Sequence, residues 1–431
     1  MPLRSSTRCP LHVEKGGCMD VDLELAEQLG GRTAGFSLPQ KFYTDPAVFR
    51  LDLERIFYRT WVFAGHDCEI PRRGGYFTLQ IGDYPIIVVR SGDGEIRAFH
   101  NSCRHRGSRI CASAKGTAVR LVCPYHQWSY GLDGRLMQAR RMGDDFDKTR
   151  FGLKPVACRS VAGYVFVCLA AEPPSFDPVH ALIEPYFAPH RLAEAKVAFE
   201  ETIVERGNWK LVWENNRECY HCAGSHPELC RTYPETPTIT GVDGARRDPA
   251  IAAHWQRCEA SGLPSDFRIS DNGDYRVVRM PLLGDSVSYT MTGDAAVGRP
   301  LAAIGEARIG TLMLFHYPSS WNHVLHDHAV SFRVTPLGPC ETQLTTRWLV
   351  HKDAVEGVDY QLDELTHVWR ATNDQDRRIV EENQRGINSP AYEPGPYAPE
   401  DEGGVAQFVD WYCATMRKSL PPSPMKLRQV A

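Results

Sequence analysis

Cys103-x-His105 and Cys123-x2-His126, with seventeen residues between the pairs, set two thiols and two imidazoles on two short stretches. Two Cys and two His suit an iron–sulfur centre that passes single electrons. Roughly a hundred residues further on, Glu218-x2-His221-x4-His226 offers a second set. Two His with a carboxylate suit an iron that keeps coordination positions open for oxygen. One chain carrying both sets is equipped to deliver electrons to O2.

The first set has two chemical readings. One is a closed, structural Cys2His2 zinc site. The other is a two-iron cluster in which two His replace two Cys on one iron. A zinc finger usually places its two His together on one helix, whereas here each stretch contributes one Cys and one His. Gly107 and Pro124 permit tight loops whose N–H groups can point at cluster sulfurs. Cys111 lies in the spacer, outside the pattern, and reads as a buried thiol.

In the second set, Glu218 and His221 share a helix face. His221 and His226 are five apart, which a regular helix splays by more than a right angle. Gly224 lies between them, so the helix is expected to distort or end there. A third ligand must come from elsewhere, and a long C-terminal helix offers Asp374 and Asp376. Trp369, Thr372, Ile379, Val380 and Asn383 recur at helical spacing and mark its buried face. Asp376 falls on that stripe, while Asp374 is turned about 200° away. A carboxylate on an apolar face is costly unless paired or metal-bound, so Asp376 is the candidate ligand. Asp374, Arg377, Arg378, Glu381 and Glu382 read as a charged, solvated face.

The elements that must position these residues are of two kinds. Residues 1–44 read as an arm with an amphipathic stretch over 21–29. Residues 45–178 begin with a helical pattern ending near Trp61. Short strands then follow at 76–81, 85–90 and 96–99, with turns at 92–94 and 131–134. They predict a small all-β domain with both ligand pairs in its loops. Residues 179–431 read as a second domain. Helical turns are predicted at 192–196 and 208–223, and a strand at 196–206. Residues 240–310 read as long loops around a pocket. Strands are predicted at 311–317, 328–335 and 341–351, and a long helix at 358–384. The fold class is α+β, and the tail after Leu420 reads as loose.

The chain of 431 residues accommodates two or three domains, and its net charge of −4 points to no nucleic acid or membrane surface. The N-terminus shows no apolar signal region, and the longest apolar run, 161–171, is too short to span a bilayer. A cytoplasmic location is expected, where the fourteen cysteines are mostly free thiols or metal ligands. Cys9, His12 and Cys18 mimic a metal site but lack a fourth ligand.

Three strings carry a family resemblance. Cys103-Arg-His-Arg-Gly-Ser with Cys123-Pro-Tyr-His-Gln-Trp-Ser-Tyr-Gly closely resembles the Rieske motif. The stretch from Asn208 to Pro227 and the stretch Asn373-Asp-Gln-Asp376 through Glu381 and Gln384-Arg-Gly complete it. Over nearly its full length the chain resembles the α subunits of Rieske non-haem iron oxygenases. The resemblance implies a Rieske [2Fe–2S] domain held through Cys103, His105, Cys123 and His126, before a helix-grip catalytic domain. It implies His221, His226 and Asp376 as ligands of a mononuclear Fe(II), in a homotrimer whose electrons cross between subunits. Glu218 stands where most members have Asp. That residue bridges a Rieske His of the neighbouring subunit to an iron-ligand His, and Asn215 and Tyr220 are candidates beside it.

Glu at this position resembles the branch acting on quaternary ammonium compounds. Within it, the stretches 348–360 and 384–397 resemble members that N-demethylate glycine betaine. The resemblance implies O2-dependent hydroxylation of an N-methyl group, which collapses to formaldehyde and a tertiary amine. The chain has no Gly-x-Gly-x-x-Gly fingerprint, so electrons from NAD(P)H would arrive through a separate flavin and iron–sulfur (ferredoxin-type) reductase. A trimethylammonium group cannot donate conventional hydrogen bonds, so its pocket should use aromatic faces. Tyr289, Phe315 and Tyr317 are candidates, and Asn322, His323 and His326 are candidate donors to a carboxylate. The rivals are the same machinery on proline betaine, carnitine or an aromatic ring, a non-enzymatic electron carrier, and a two-zinc module.

Overall fold

The computed structural model describes residues 15–234, 248–301 and 304–420. Two seven-stranded antiparallel sheets dominate it. The first contains β1 (Val62–His66), β2 (Gly75–Ile81), β3 (Tyr84–Arg90), β4 (Ile96–His100), β5 (Lys115–Thr117), β9 (Pro155–Val161) and β10 (Tyr164–Cys168). Their order is β1-β10-β9-β4-β3-β2-β5. A small sheet of β6 (Leu121–Val122), β7 (Ser129–Tyr130) and β8 (Leu136–Gln138) stands beside it. The turns at 92–94 and 131–134 join strands as their glycines suggested.

The second sheet contains β11 (Ala195–Glu205), β12 (Arg268–Ile269), β13 (Tyr275–Met280), β14 (Thr311–His316), β15 (Ser320–Val324), β16 (Ala329–Gly338) and β17 (Glu341–His351). Their order is β11-β17-β16-β15-β14-β13-β12. The helix Leu362–Ile387 packs on this sheet, with Trp369 set against Phe332 of β16 and His323 of β15. The architecture is the expected α+β arrangement of a β domain and a helix-on-sheet domain.

Several boundaries differ from the sequence reading. The helix expected over 208–223 is Trp209–Asn216, capped by the Asn208 side chain. The region 240–310 is not simply loops: it holds the helix Pro249–Ala260, capped by Asp248, and the strands β12 and β13. The helix does carry a helical period, burying Ile251, His254, Trp255 and Cys258, whereas β13 is buried along its whole length and shows no alternation. β15 and the helix Gly403–Arg417 were also missed, and 192–196 contains only a single turn before β11. The N-terminal stretch is a longer helix, Lys15–Gly30. Asn383 is exposed, and Gln384 is the buried polar residue, accepting from the Asn208 N–H at 2.9 Å. Cys9, His12, the side chain of Cys18 and the tail after Leu420 lie outside the described residues.

A buried polar knot fixes the helix Trp209–Asn216. The Asp52 carboxylate accepts from Lys210 Nζ at 2.5 Å, Trp209 Nε1 at 2.9 Å and Tyr412 Oη at 2.8 Å. Asp52 and Lys210 are fully buried, and removing either would strand the other's charge, typically at a cost of about 3–5 kcal/mol. Glu214, one turn on, accepts from Tyr43 and Tyr397 at 2.7 and 3.1 Å. Burial pushes its pKa up to about 7. These contacts pin the helix whose end carries the second ligand set.

Candidate metal centres and substrate cavity

The first ligand set sits on two loops built alike. Cys103 N–H donates to Ser108 O and Gly107 N–H to Cys103 O. Cys123 N–H donates to Trp128 O and Gln127 N–H to Cys123 O. The fourth residue after each Cys takes a left-handed backbone, with φ of 76° at Gly107 and 63° at Gln127. Gly107 supplies this conformation without strain; at Gln127 the loop holds a residue in a region costly to anything but glycine. Pro124 lies in the loop, but the positive φ falls at Gln127.

The loops bring the four side chains together. The Nδ1 atoms of His105 and His126 stand 3.2 Å apart, while Cys103 and Cys123 lie buried beneath them. His105 stacks on Trp128, with centroids 4.9 Å apart and 9° between planes. Arg106 holds the far side of His126 at 2.6 Å. Tyr130 was not singled out in the sequence. Its hydroxyl accepts from Arg104 N–H at 3.0 Å and lies 3.2 Å from Cys103 Sγ. Such a bond to a cluster sulfur tunes the reduction potential. Burial raises the Cys103 pKa, a cost that coordination as thiolate would offset. Buried thiols below partly exposed imidazoles fit a two-iron cluster whose His-bound iron faces outward. Cys111 remains a buried thiol outside this set.

The second set forms where the helix Trp209–Asn216 stops. The break lies at 217–220 and not at Gly224. Glu218 folds back so that its carboxylate accepts from the N–H groups of Tyr220 and His221. A four-residue helix, Cys222–Ser225, follows, and His221 and His226 flank it at its two caps. That arrangement removes the splay of a five-residue spacing. Their Nε2 atoms meet at 2.9 Å. Asp376, from the helix Leu362–Ile387, places Oδ1 3.0 Å from His226 Nε2 and 3.4 Å from His221 Nε2. Asp374 points elsewhere and pairs with Arg377 and Arg378.

Each imidazole is oriented from behind. His221 Nδ1 lies 2.5 Å from Glu218 Oε1, and His226 Nδ1 lies 2.8 Å from Gln375 Oε1. A carboxylate only accepts, so His221 carries its proton on Nδ1. Gln375 Nε2 donates to Glu228 at 2.7 Å, which fixes its amide oxygen toward His226. Both Nε2 lone pairs therefore face Asp376. Gln375 was missed because its role depends on which way its amide is turned. Asn215 Nδ2 lies 3.4 Å from His221 Nε2, whereas Tyr220 is 65% exposed and points outward.

Burial opposes the imidazolium of His221, but Asp376 and Glu218 outweigh it and hold its pKa at about 9. His226 is likewise raised against burial by Asp376, and burial at Asp376 is outweighed by both His, lowering its pKa. The carboxylates around the two imidazoles thus favour positive charge at this place. Asp376 Oδ1 is buried, with no well-formed hydrogen bond. The converging nitrogens and this oxygen fit a metal ion. Cys222 Sγ also lies near, but it is joined to Cys219 in a disulfide. This pair departs from the expectation of free thiols and withholds Cys222 as a competing ligand.

Residues 60–156 match the Rieske [2Fe-2S] domain, and residues 192–418 match the catalytic domain of the ring-hydroxylating alpha subunit. The chain belongs to the Rieske non-haem iron oxygenases, as an α subunit. It is 48% identical over 411 residues to the glycine betaine monooxygenase oxygenase subunit of Pseudomonas aeruginosa, covering 94% of this chain and 95% of that one. The protein of the same name from Chromohalobacter salexigens is 50% identical over 403 residues, covering 92% and 89%. A crystal structure of a quaternary ammonium Rieske monooxygenase superposes with a TM-score of 0.69, covering 91% of this chain and 98% of that one. At 20% identity it shares the fold. The Rieske oxygenase family carries a [2Fe–2S] cluster and a non-haem iron, in keeping with the two ligand sets.

Above the second set opens a cavity. Its wall includes Leu229, Tyr233, Phe267, Met313, Phe315 and Trp369, with Asn215, Arg217, Glu218 and His323 among its polar groups. Of the aromatic candidates only Phe315 lines it, and its face carries the Arg217 guanidinium at 4.2 Å. Tyr317 instead packs in the core against Trp213, Phe408 and Trp411. Tyr289 sits behind the wall, 3.1 Å from His323 Nδ1. Strand pleating puts Asn322 on the opposite face from His323. His326 lies off the cavity, and burial keeps His323 neutral with a pKa of about 3. The aromatic faces on hand are Tyr233, Phe267 and Trp369, which the sequence did not single out because they come from three distant segments.

Proposed function

We propose that this chain is the oxygenase subunit of a monooxygenase that N-demethylates glycine betaine. O2, two electrons and two protons convert the substrate to dimethylglycine, formaldehyde and water. One oxygen atom leaves in formaldehyde and the other in water. The observation that carries this reading is the 48–50% identity to glycine betaine monooxygenase oxygenase subunits over nearly the whole chain. The metal set at the foot of an aromatic-walled cavity supports it.

In this reading residues 1–44 are an arm, 45–178 the Rieske domain and 179–431 the catalytic domain. Cys103 and Cys123 would hold one iron of the cluster, His105 and His126 the other. His221, His226 and Asp376 would hold the mononuclear iron, which when bound supplies O2 activation. Glu218 and Gln375 fix the imidazole tautomers so that both Nε2 atoms face the metal. In a homotrimer, Glu218 would also accept from a Rieske His of the neighbouring subunit, linking the two centres. Asn215 lies beside the metal-facing Nε2 of His221. Tyr233, Phe267 and Trp369 would meet the trimethylammonium group through their faces and exclude water from it. A ferredoxin-type reductase would supply electrons from NAD(P)H. A cytoplasmic setting suits that partner, and among the described residues no helix is long and apolar enough to cross a membrane.

The test is turnover of a substrate panel by iron-loaded protein with reductase and NAD(P)H, scored by formaldehyde. Glycine betaine is expected to give coupled release. Turnover of an arene, with none for any trimethylammonium compound, overturns the reading.

A further inference from the structure

We infer that His323 donates a hydrogen bond from Nε2 to the carboxylate of the substrate, and so makes the cavity prefer zwitterionic betaines to choline. This rests on the substrate reading above and assigns the part of the substrate that reading leaves without a partner. His323 of β15 stands directly opposite Met313 of β14, and both side chains line the cavity. The other sheet residues of that wall are Val278, Met280 and Phe315, none of which can donate a hydrogen bond from its side chain. His323 is only 5% exposed. Its Nδ1 is engaged from behind the wall, 3.1 Å from the Tyr289 hydroxyl and 3.3 Å from that of Thr311. Its Nε2 has no hydrogen-bond partner among the described residues.

The hydroxyls behind the ring decide which nitrogen carries the proton. Burial keeps the imidazole neutral, so one nitrogen donates and the other accepts. Burial also holds Tyr289 as the un-ionised phenol. A phenol is the better donor of this pair and an imidazole nitrogen the better acceptor, so Tyr289 donates to Nδ1 and the ring proton sits on Nε2. That N–H lies on the edge of the ring away from Tyr289, toward the cavity. A largely buried donor without a partner is costly, and a carboxylate oxygen in the cavity satisfies it. The ring centroid of His323 stands 4.8 Å from that of Trp369, one of the faces offered to the trimethylammonium group. Glycine betaine carries its carboxylate one methylene from nitrogen, so a donor beside that face reaches it. Trp369 precedes Asp376 by two turns of one helix, so an anion held here points away from the metal and leaves a methyl group toward it. The zwitterion brings its own positive charge, so a neutral donor suffices. Choline offers a hydroxyl in place of the carboxylate, and a neutral acceptor gains roughly half as much from the bond.

The test is calorimetric binding of glycine betaine and of choline to the anaerobic iron-loaded protein, comparing wild type with His323→Asn and His323→Phe. Asn keeps an amide near the place of Nδ1, able to meet Tyr289, and removes the donor at Nε2. H323N is expected to weaken glycine betaine at least about 10-fold and choline by less than about 3-fold, as for loss of a hydrogen bond to a charged acceptor. Iron content and Rieske absorbance should stay at wild-type levels. Should H323N fail to fold, H323F fills the same space without either nitrogen and decides, with the same selective loss expected. Where wild type binds no choline, the loss for glycine betaine with iron content held decides. Equal weakening of both ligands, or unchanged glycine betaine affinity, overturns the inference alone. Wild-type protein that binds neither ligand overturns the substrate reading together with it.

Discussion

The Nε2 atoms of His221 and His226 stand 2.9 Å apart, each turned toward Asp376 Oδ1. Three donor atoms from two segments about 150 residues apart in sequence thus share one small space. Two lone pairs and a carboxylate oxygen repel one another unless a cation or protons lie between them.

Asp376→Ala should therefore empty the mononuclear site while leaving the Rieske absorbance unchanged. Activity should fall by more than the roughly 10–100-fold that loss of an outer partner costs. Iron analysis alongside the visible spectrum checks this. Full iron occupancy in the variant would show that another group completes the site.

Gln375 reaches His226 from the same helix, one residue before Asp376. Gln375→Leu removes the acceptor for Nδ1–H and frees the ring to turn. Iron affinity, measured by chelator competition, should drop about 10–100-fold with the fold intact. An affinity equal to wild type would mean that packing alone orients His226.

Much of this was legible in the residues. The two Cys-x-His and Cys-x2-His stretches do fall on paired loops of a β domain, and helical phase separated Asp376 from Asp374. What the sequence could not show depended on side-chain direction or on distant segments. The break after Asn216 comes from the Glu218 carboxylate capping two N–H groups, a device with no signature in periodicity. Gly224 drew the eye because it is a glycine, yet its backbone is ordinary. Tyr317 and Tyr289 were drawn to the pocket by residue type, and packing placed them elsewhere.

Glu218→Gln should keep both irons and slow electron passage to the mononuclear site. The amide can still accept from His221 Nδ1 at its oxygen but loses the charge and one acceptor. Reoxidation of the reduced Rieske centre in a single turnover with substrate and O2 should slow about 10–100-fold, with iron content unchanged. Wild-type kinetics in this variant would remove Glu218 from the coupling path.

Buried histidines set an acid limit on stability. Burial lowers the pKa of His66 and His254 to about 4 and of His316 and His323 to about 3. In the unfolded chain each titrates near its ordinary value of about 6.5. Below that value the unfolded chain binds protons that the folded one refuses, so stability falls as pH drops from about 6.5 toward 4; above it these groups contribute no pH dependence. Each adds a slope of up to about 1.4 kcal/mol per pH unit in that window. His316 is the cleanest test, since it stacks on Tyr275 at 4.3 Å, far from either ligand set in sequence. In urea unfolding at a series of pH values, His316→Asn should show a shallower decline between pH 6.5 and 4 than wild type, by about one proton's worth. An identical slope would mean that His316 takes up its proton in the folded protein.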